Sequence, residues 1–234
     1  NVPCFIEKTA NIEQAVTDLI LSKAFDNGMI CASEQAAIIE APVYNQAVAY
    51  MKKHGCYFAT KDEIKKIEPV VINPETQMVN ANIVGKYPYE IAALAGITIP
   101  KDTKVLCCEI DGVGENYPLS REKLSPVLAV VKAKDAGEGI HMADVMVELG
   151  GLGHSSVIHS NDDDVINKFS KVLKTGRIIV NSPSTHGAIG DIYNTNMPSL
   201  TLGCGSYGRN STTSNVTAVN LVNKKRVARR RVNM

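Results

Sequence analysis

Short apolar runs alternate along this chain with longer stretches of helical periodicity, and that alternation limits its fold more than any other feature. Val2-Pro-Cys-Phe-Ile6, Ala36-Ala-Ile-Ile39, and the runs 57–60, 104–110, 127–131, 155–159 and 177–180 read as strands. After Asn11, a candidate N-cap with Gln14 three residues on, Ile12, Ala15, Val16, Leu19 and Ile20 recur at helical spacing. Pro42 suits the first turn of a helix over 43–54 that Gly55 closes. Further helices are predicted over 61–67, 88–94, 142–149 and 163–173. Strands that take turns with helices predict an α/β domain with a largely parallel sheet flanked by helices. Ligands of such sheets are expected beyond the carboxyl ends of the strands.

With 234 residues, 44% of them hydrophobic, the chain can bury a sizeable core as one large or two small domains. It holds no run of 18 apolar residues and no charged-then-apolar leader, so the expectation is a cytoplasmic protein without a membrane span. Six cysteines at 4, 31, 56, 107, 108 and 204 form no CxxC pair, which predicts reduced thiols and no metal site. The chain starts at Asn1 directly ahead of a strand, as a segment cut from a longer polypeptide would. Residues 223–234 carry six basic side chains and no acidic one. Without them, 19 basic residues face 24 acidic ones, about −5, although the whole chain is +1. A net acidic body lacks the footprint of a nucleic-acid-binding domain, so the basic run reads as a linker or the end of an interface strand.

Beyond Pro183 the sequence turns to glycine, serine, threonine and asparagine, which is loop chemistry. A last strand is predicted over 216–222, as an edge that pairs either with a partner subunit or within its own sheet. Residues 1–215 are then the main domain, and 216–234 an oligomerisation strand and basic linker. Gly203-Cys-Gly-Ser-Tyr-Gly208 matches G-x-G-x-x-G by letter. No helix is predicted after it, so it is rejected as a dinucleotide fingerprint.

Three side chains stand where chemistry is feasible. Cys31 follows the turn residue Gly28 and precedes a buried strand, so its thiol can face a cleft while its own N–H serves as an oxyanion donor. The alternative is a small buried hydrophobe. Glu122 lies just before Pro126 and an apolar strand, where it either projects into a cleft toward sugar hydroxyls or is a solvated surface carboxylate. His154 follows Gly150-Gly-Leu-Gly153 and either reaches a cleft as a proton carrier or merely starts a strand.

Together these segments resemble the CoA-acylating aldehyde dehydrogenases. Phe25-Asp-Asn-Gly-Met-Ile-Cys31-Ala-Ser-Glu-Gln35 is similar to that family's nucleophile segment, and Glu122-Lys-Leu-Ser-Pro126 to the one that contacts the nicotinamide ribose. Gly150-Gly-Leu-Gly-His154-Ser-Ser156 and the stretch 198–208 resemble the aldehyde dehydrogenase half of bifunctional aldehyde/alcohol dehydrogenases. The resemblance implies an aldehyde dehydrogenase-like catalytic domain that lacks its nucleotide-binding domain and the alcohol dehydrogenase half. It implies interconversion of acetyl-CoA and acetaldehyde through a Cys31 thioester, with NAD as cofactor and coenzyme A as co-substrate, in fermentative ethanol formation. Glu122 and Leu202 would touch the nicotinamide side, and His154 would either shuttle a proton or orient the thioester. It also implies homo-oligomers or filaments. Two other readings stay open: a cysteine hydrolase using Cys31 and His154 without nicotinamide, and an assembly module.

Overall fold

The computed structural model describes residues 1–231. Its centre is one seven-stranded sheet, every pairing parallel, in the order β3-β4-β5-β2-β1-β6-β7. The strands are β1 Val2–Ile6, β2 Glu34–Glu40, β3 Cys56–Phe58, β4 Val105–Glu109, β5 Val127–Ala133, β6 Gly153–His159 and β7 Thr175–Val180. Strands covered on both faces read as near-continuous apolar runs, and every residue of β1 and β2 is buried.

Helices α1 Ile12–Ala24, α2 Tyr44–Lys53 and α7 Ser184–Ile189 cover one face; α3 Lys61–Val71, α4 Pro88–Leu94, α5 Ala136–Gly150 and α6 Asp163–Val172 cover the other. Alternate residues of each strand serve the two layers. Ala37, Ile39, Leu128 and Val130 pack under α1 and α2, while Ala36, Ile38, Ala129 and Val131 pack under α5 and α6. Among the described residues, no helix is long and apolar enough to cross a membrane.

Some elements differ from their sequence expectation. Asn11 accepts from the Gln14 N–H, but the Gln14 side chain bonds Asp18, so only half of a capping box forms. Helix α5 starts six residues earlier than 142, through Gly137 and Gly139. Asp135 caps it, and Gly139 is needed there because a Cβ would stand 2.3 Å from the Phe5 ring. Helix α3 continues past Ile67 and through Pro69 because Ile67 and Val71 share its buried face.

The strand expected over 216–222 does not form. Those residues carry a single 3-10 turn, Ala218–Leu221, in which the Asn220 side chain accepts from the Thr217 N–H. Pairing stops at Val216, whose N–H donates to the Thr201 carbonyl at 2.8 Å beside the antiparallel Leu202–Asn215 bridge, and Val219, Leu221 and Val222 beyond it are more than 60% exposed. The basic run continues through Arg231, and its last three positions, 232–234, lie outside the described residues.

Candidate active site at the amino edge of the sheet

Cys31 occupies the turn between a 3-10 segment, Phe25–Gly28, and β2. Gly28 has φ +70°, and a Cβ on it would lie 2.5 Å from the Ser125 carbonyl oxygen. Glycine is therefore required twice, for its backbone conformation and for this approach. The contact seats the Cys31 turn directly on the segment that carries Glu122.

All four residues singled out from the sequence come to one edge. Cys31 precedes β2, Glu122 precedes β5, His154 is the second residue of β6, and Leu202 packs on the same core cluster as Ile30. Because every strand is parallel, this is the amino edge, opposite to the expected one. The carboxyl edge carries a separate cleft of about 780 Å³, lined by Thr60, Lys61, Glu109, Asp111 and Lys132, that holds none of these four residues. Asn11, Thr60, Asp135 and Asp162 cap the helices that start there, so those N-terminal N–H groups are already engaged. At the β1/β6 switch point, buried Glu7 accepts from the Thr9 N–H and from the Thr9 and Ser160 hydroxyls.

Cys31 is exposed. Partial enclosure and then the nearby Glu122 carboxylate push its thiol up, while its own N–H and that of Ala32 point at the sulfur and pull the other way. Glu122 keeps 41% of its side chain in solvent, with its Oε1 3.9 Å from the Asn1 nitrogen. His154 is half-buried, its Nδ1 has no partner, and its pKa falls to about 4, chiefly through burial, with the Arg177 charge pushing the same way. The imidazole is neutral at pH 7. It can share a hydrogen bond but is a weak base.

The glycine loop at 203–208 packs against its own chain. A Cβ on Gly153 would meet the Cys204 carbonyl oxygen at 1.9 Å, and one on Gly208 would meet the Cys204 Cβ at 2.2 Å. These glycines let the loop lie on the start of β6 and leave no phosphate cradle. No helix follows them, in agreement with the rejection of a dinucleotide motif.

Two buried cations that sequence reasoning passed over organise the edge. Arg177 in β7, 6% exposed, donates to Asn215 Oδ1 at 2.9 Å and to the carbonyls of His154 at 3.1 Å, Gly203 at 2.7 Å and Thr213 at 3.1 Å. It thereby ties the loop bearing Leu202 to the strand bearing His154. Lys123, fully buried, holds the Glu122 segment to β2. Neither shows in periodicity, since a charged residue in a pattern reads as surface. Lys123 beside Glu122 in the Glu-Lys-Leu-Ser-Pro motif was the one available signal.

The comparisons with known proteins agree with this geometry. The family model described as "Aldehyde dehydrogenase family" matches residues 1–192. The "Aldehyde-alcohol dehydrogenase" of Streptococcus pneumoniae is 51% identical over the whole chain, and "Aldehyde-alcohol dehydrogenase 2" of Entamoeba histolytica is 49% identical. The chain spans 27% and 28% of their respective lengths. Among solved structures, an acetylating aldehyde dehydrogenase from Geobacillus thermoglucosidasius superposes with a TM-score of 0.95 at 45% identity, covering all of this chain and 51% of that one. With the family model spanning most of its length and laid over a parallel α/β sheet, the chain belongs to the aldehyde dehydrogenase family.

Proposed function

We propose that this chain is the catalytic domain of a CoA-acylating aldehyde dehydrogenase that interconverts acetyl-CoA and acetaldehyde. The observation that carries the reading is an exposed cysteine seated by Gly28 on the segment of a half-exposed glutamate, with a neutral histidine and Leu202 at the same edge. The Cys31 thiolate attacks the acyl carbon, a C–S bond forms to Cys31, and the bond to CoA breaks. CoA leaves as a thiolate and takes up a proton. The acyl group is then a Cys31 thioester. After reduction, the carbon–sulfur bond to Cys31 breaks, and aldehyde and thiolate are released. The N–H groups of Cys31 and Ala32, which already point at the sulfur, favour its anionic form in both directions. His154 hydrogen-bonds the acyl oxygen as a neutral imidazole.

The residues present fit the nicotinamide end of NAD. Glu122 is an open acceptor suited to ribose hydroxyls, and Leu202 offers an apolar surface near Ile30. When bound, the nicotinamide supplies or accepts the hydride. The phosphate end has no cradle in the glycine loop, and a nucleotide-binding domain elsewhere in the polypeptide is inferred to hold it. The names of the relatives support a linked alcohol dehydrogenase unit, and with it fermentative ethanol formation. Exposed Val219, Leu221 and Val222 support self-association into oligomers or filaments through the 216–222 segment. The hydrolase reading loses support, because a histidine with a pKa of about 4 is too weak to activate a thiol at neutral pH.

The test is acetyl-CoA-dependent NADH oxidation by the complete encoded polypeptide, with Cys31→Ala in parallel. Activity that disappears in the variant supports the reading. A folded, NADH-binding protein without turnover in either form overturns it.

A further inference from the structure

Lys123 makes contacts that a surface lysine cannot. Its Nζ donates to the carbonyls of Leu119 at 2.7 Å, Arg121 at 2.8 Å and Gln35 at 2.8 Å, and its side chain is fully buried. Its backbone N–H donates to Gln35 Oε1 at 2.9 Å. Burial pulls its pKa well down, and Lys23, whose Nζ lies 3.4 Å from the same Gln35 Oε1, pushes the same way. Yet three short carbonyl partners match the three N–H bonds of an ammonium, and a neutral amine would leave one acceptor unserved.

The partners matter more than the charge. Gln35 is the second residue of β2 and four residues after Cys31; Leu119 and Arg121 bracket the approach to Glu122. The Gln35 side chain also donates to the Ser33 carbonyl at 2.9 Å, inside the turn that leaves Cys31. Lys123 and Gln35 therefore form one rigid bracket between the two segments, 88 residues apart in sequence.

We propose that Lys123 is a positioning residue that, through Gln35, fixes Glu122 relative to Cys31, so that the dinucleotide bound at Glu122 meets the acyl carbon on Cys31 in reacting geometry. This rests on the acylating dehydrogenase reading and adds a residue to it. Lys123 touches neither reacting partner. Its loss should therefore spare acylation of Cys31, which needs no dinucleotide, and impair the reductive half.

The experiment compares wild type with Lys123→Met, Gln35→Met and Gln35→Glu in the complete polypeptide. Two readouts are taken: acetylation of Cys31 by acetyl-CoA without NADH, followed by intact mass, and the NADH dependence of turnover. Lys123→Met and Gln35→Met should acylate within about threefold of wild type, while kcat/KM for NADH falls about 10- to 100-fold, the range expected from a misplaced reactant. Gln35→Glu keeps an acceptor for the Lys123 N–H but loses the donor to the Ser33 carbonyl, so it should show the same selective loss in the NADH-dependent readout as Gln35→Met. Equal losses in both readouts for a folded variant would make the bracket merely structural and overturn the proposal. If Lys123→Met does not fold, Gln35→Met decides by the same criterion. A wild type that is not acetylated at Cys31 overturns the acylating reading itself and this inference with it.

Discussion

Gly28 lies against the backbone of Ser125 so closely that one added methyl group would stand 2.5 Å from the Ser125 carbonyl oxygen and 3.1 Å from the Pro126 nitrogen. This contact joins the Cys31 turn to the Glu122 segment. Neither side can retreat cheaply, because both atoms are backbone. Gly28→Ala also forces a side chain into φ +70°. The expected cost is roughly 1–3 kcal/mol from backbone strain alone, read as a lower urea midpoint. Alkylation of Cys31 by iodoacetamide should change together with it. An unaltered midpoint and alkylation rate would show that the turn tolerates the shift.

Cys31 itself contributes little packing, being exposed. Cys31→Ala should leave stability within about 0.5 kcal/mol of wild type, while the acetyl adduct seen by mass spectrometry disappears. Persistence of a single adduct in the variant would move the nucleophile to another thiol, Cys204 first.

The pH response of the site follows from two groups. Enclosure and Glu122 hold the Cys31 thiol above its usual range, and His154 stays neutral down to about pH 4. The alkylation rate of Cys31 should therefore still be rising at pH 9. No inflection near 6.5 should appear, because that is where an ordinary imidazole would titrate. A plateau by pH 8 would contradict the placement of Glu122 beside the sulfur.

His159 governs acid stability. It is 2% exposed, its Nε2 has no partner, and burial lowers its pKa to about 4. Between pH 4 and 6.5 the unfolded chain binds the His159 proton and the folded chain does not, so stability from this group is complete above 6.5 and is lost as pH falls toward 4. At about 1.4 kcal/mol per pH unit the loss is roughly 3 kcal/mol. Glu34, whose burial raises its pKa to about 7, acts with the opposite sign over pH 4.5 to 7: its folded form binds the proton that the unfolded form releases. The difference between wild type and His159→Asn isolates the histidine. Going from pH 7 to pH 5, the variant should gain roughly 2 kcal/mol of stability relative to wild type, because the Glu34 contribution is common to both and only the histidine loss is removed. Parallel midpoint curves for the two proteins would refute the assignment.

Arg177 should be irreplaceable by lysine. Its planar fork serves Asn215 and three carbonyls at once, whereas an ammonium is a single point of donation. Arg177→Lys is expected to cost roughly 1.5–3 kcal/mol for lost charge-assisted bonds. It should also make the 198–215 loop more sensitive to limited proteolysis. Unchanged cleavage there would mean that the loop is held by other contacts.

The sequence by itself determined the parallel α/β architecture, the main helices and the positions of Cys31, Glu122, His154 and Leu202 within it. Those features are local: an apolar run, a helical period, a glycine before a cysteine, a motif of five residues. Tertiary structure alone decided which edge of the sheet they share. That choice depends on parallel pairing across the whole sheet, which puts the starts of β2, β5 and β6 on the same side. It also decided that Lys123 and Arg177 are buried. Lys123 reaches Gln35, 88 residues away, and Arg177 reaches Asn215, 38 residues away, beyond any periodic pattern, and only a fold that brings carbonyls to a charge can make its burial tolerable. The segment 216–222 failed as a strand for the same reason. Its apolar residues are suited to pairing, but the chain offers a paired neighbour only as far as Val216, which bonds Thr201, and past that point it turns into an exposed 3-10 turn.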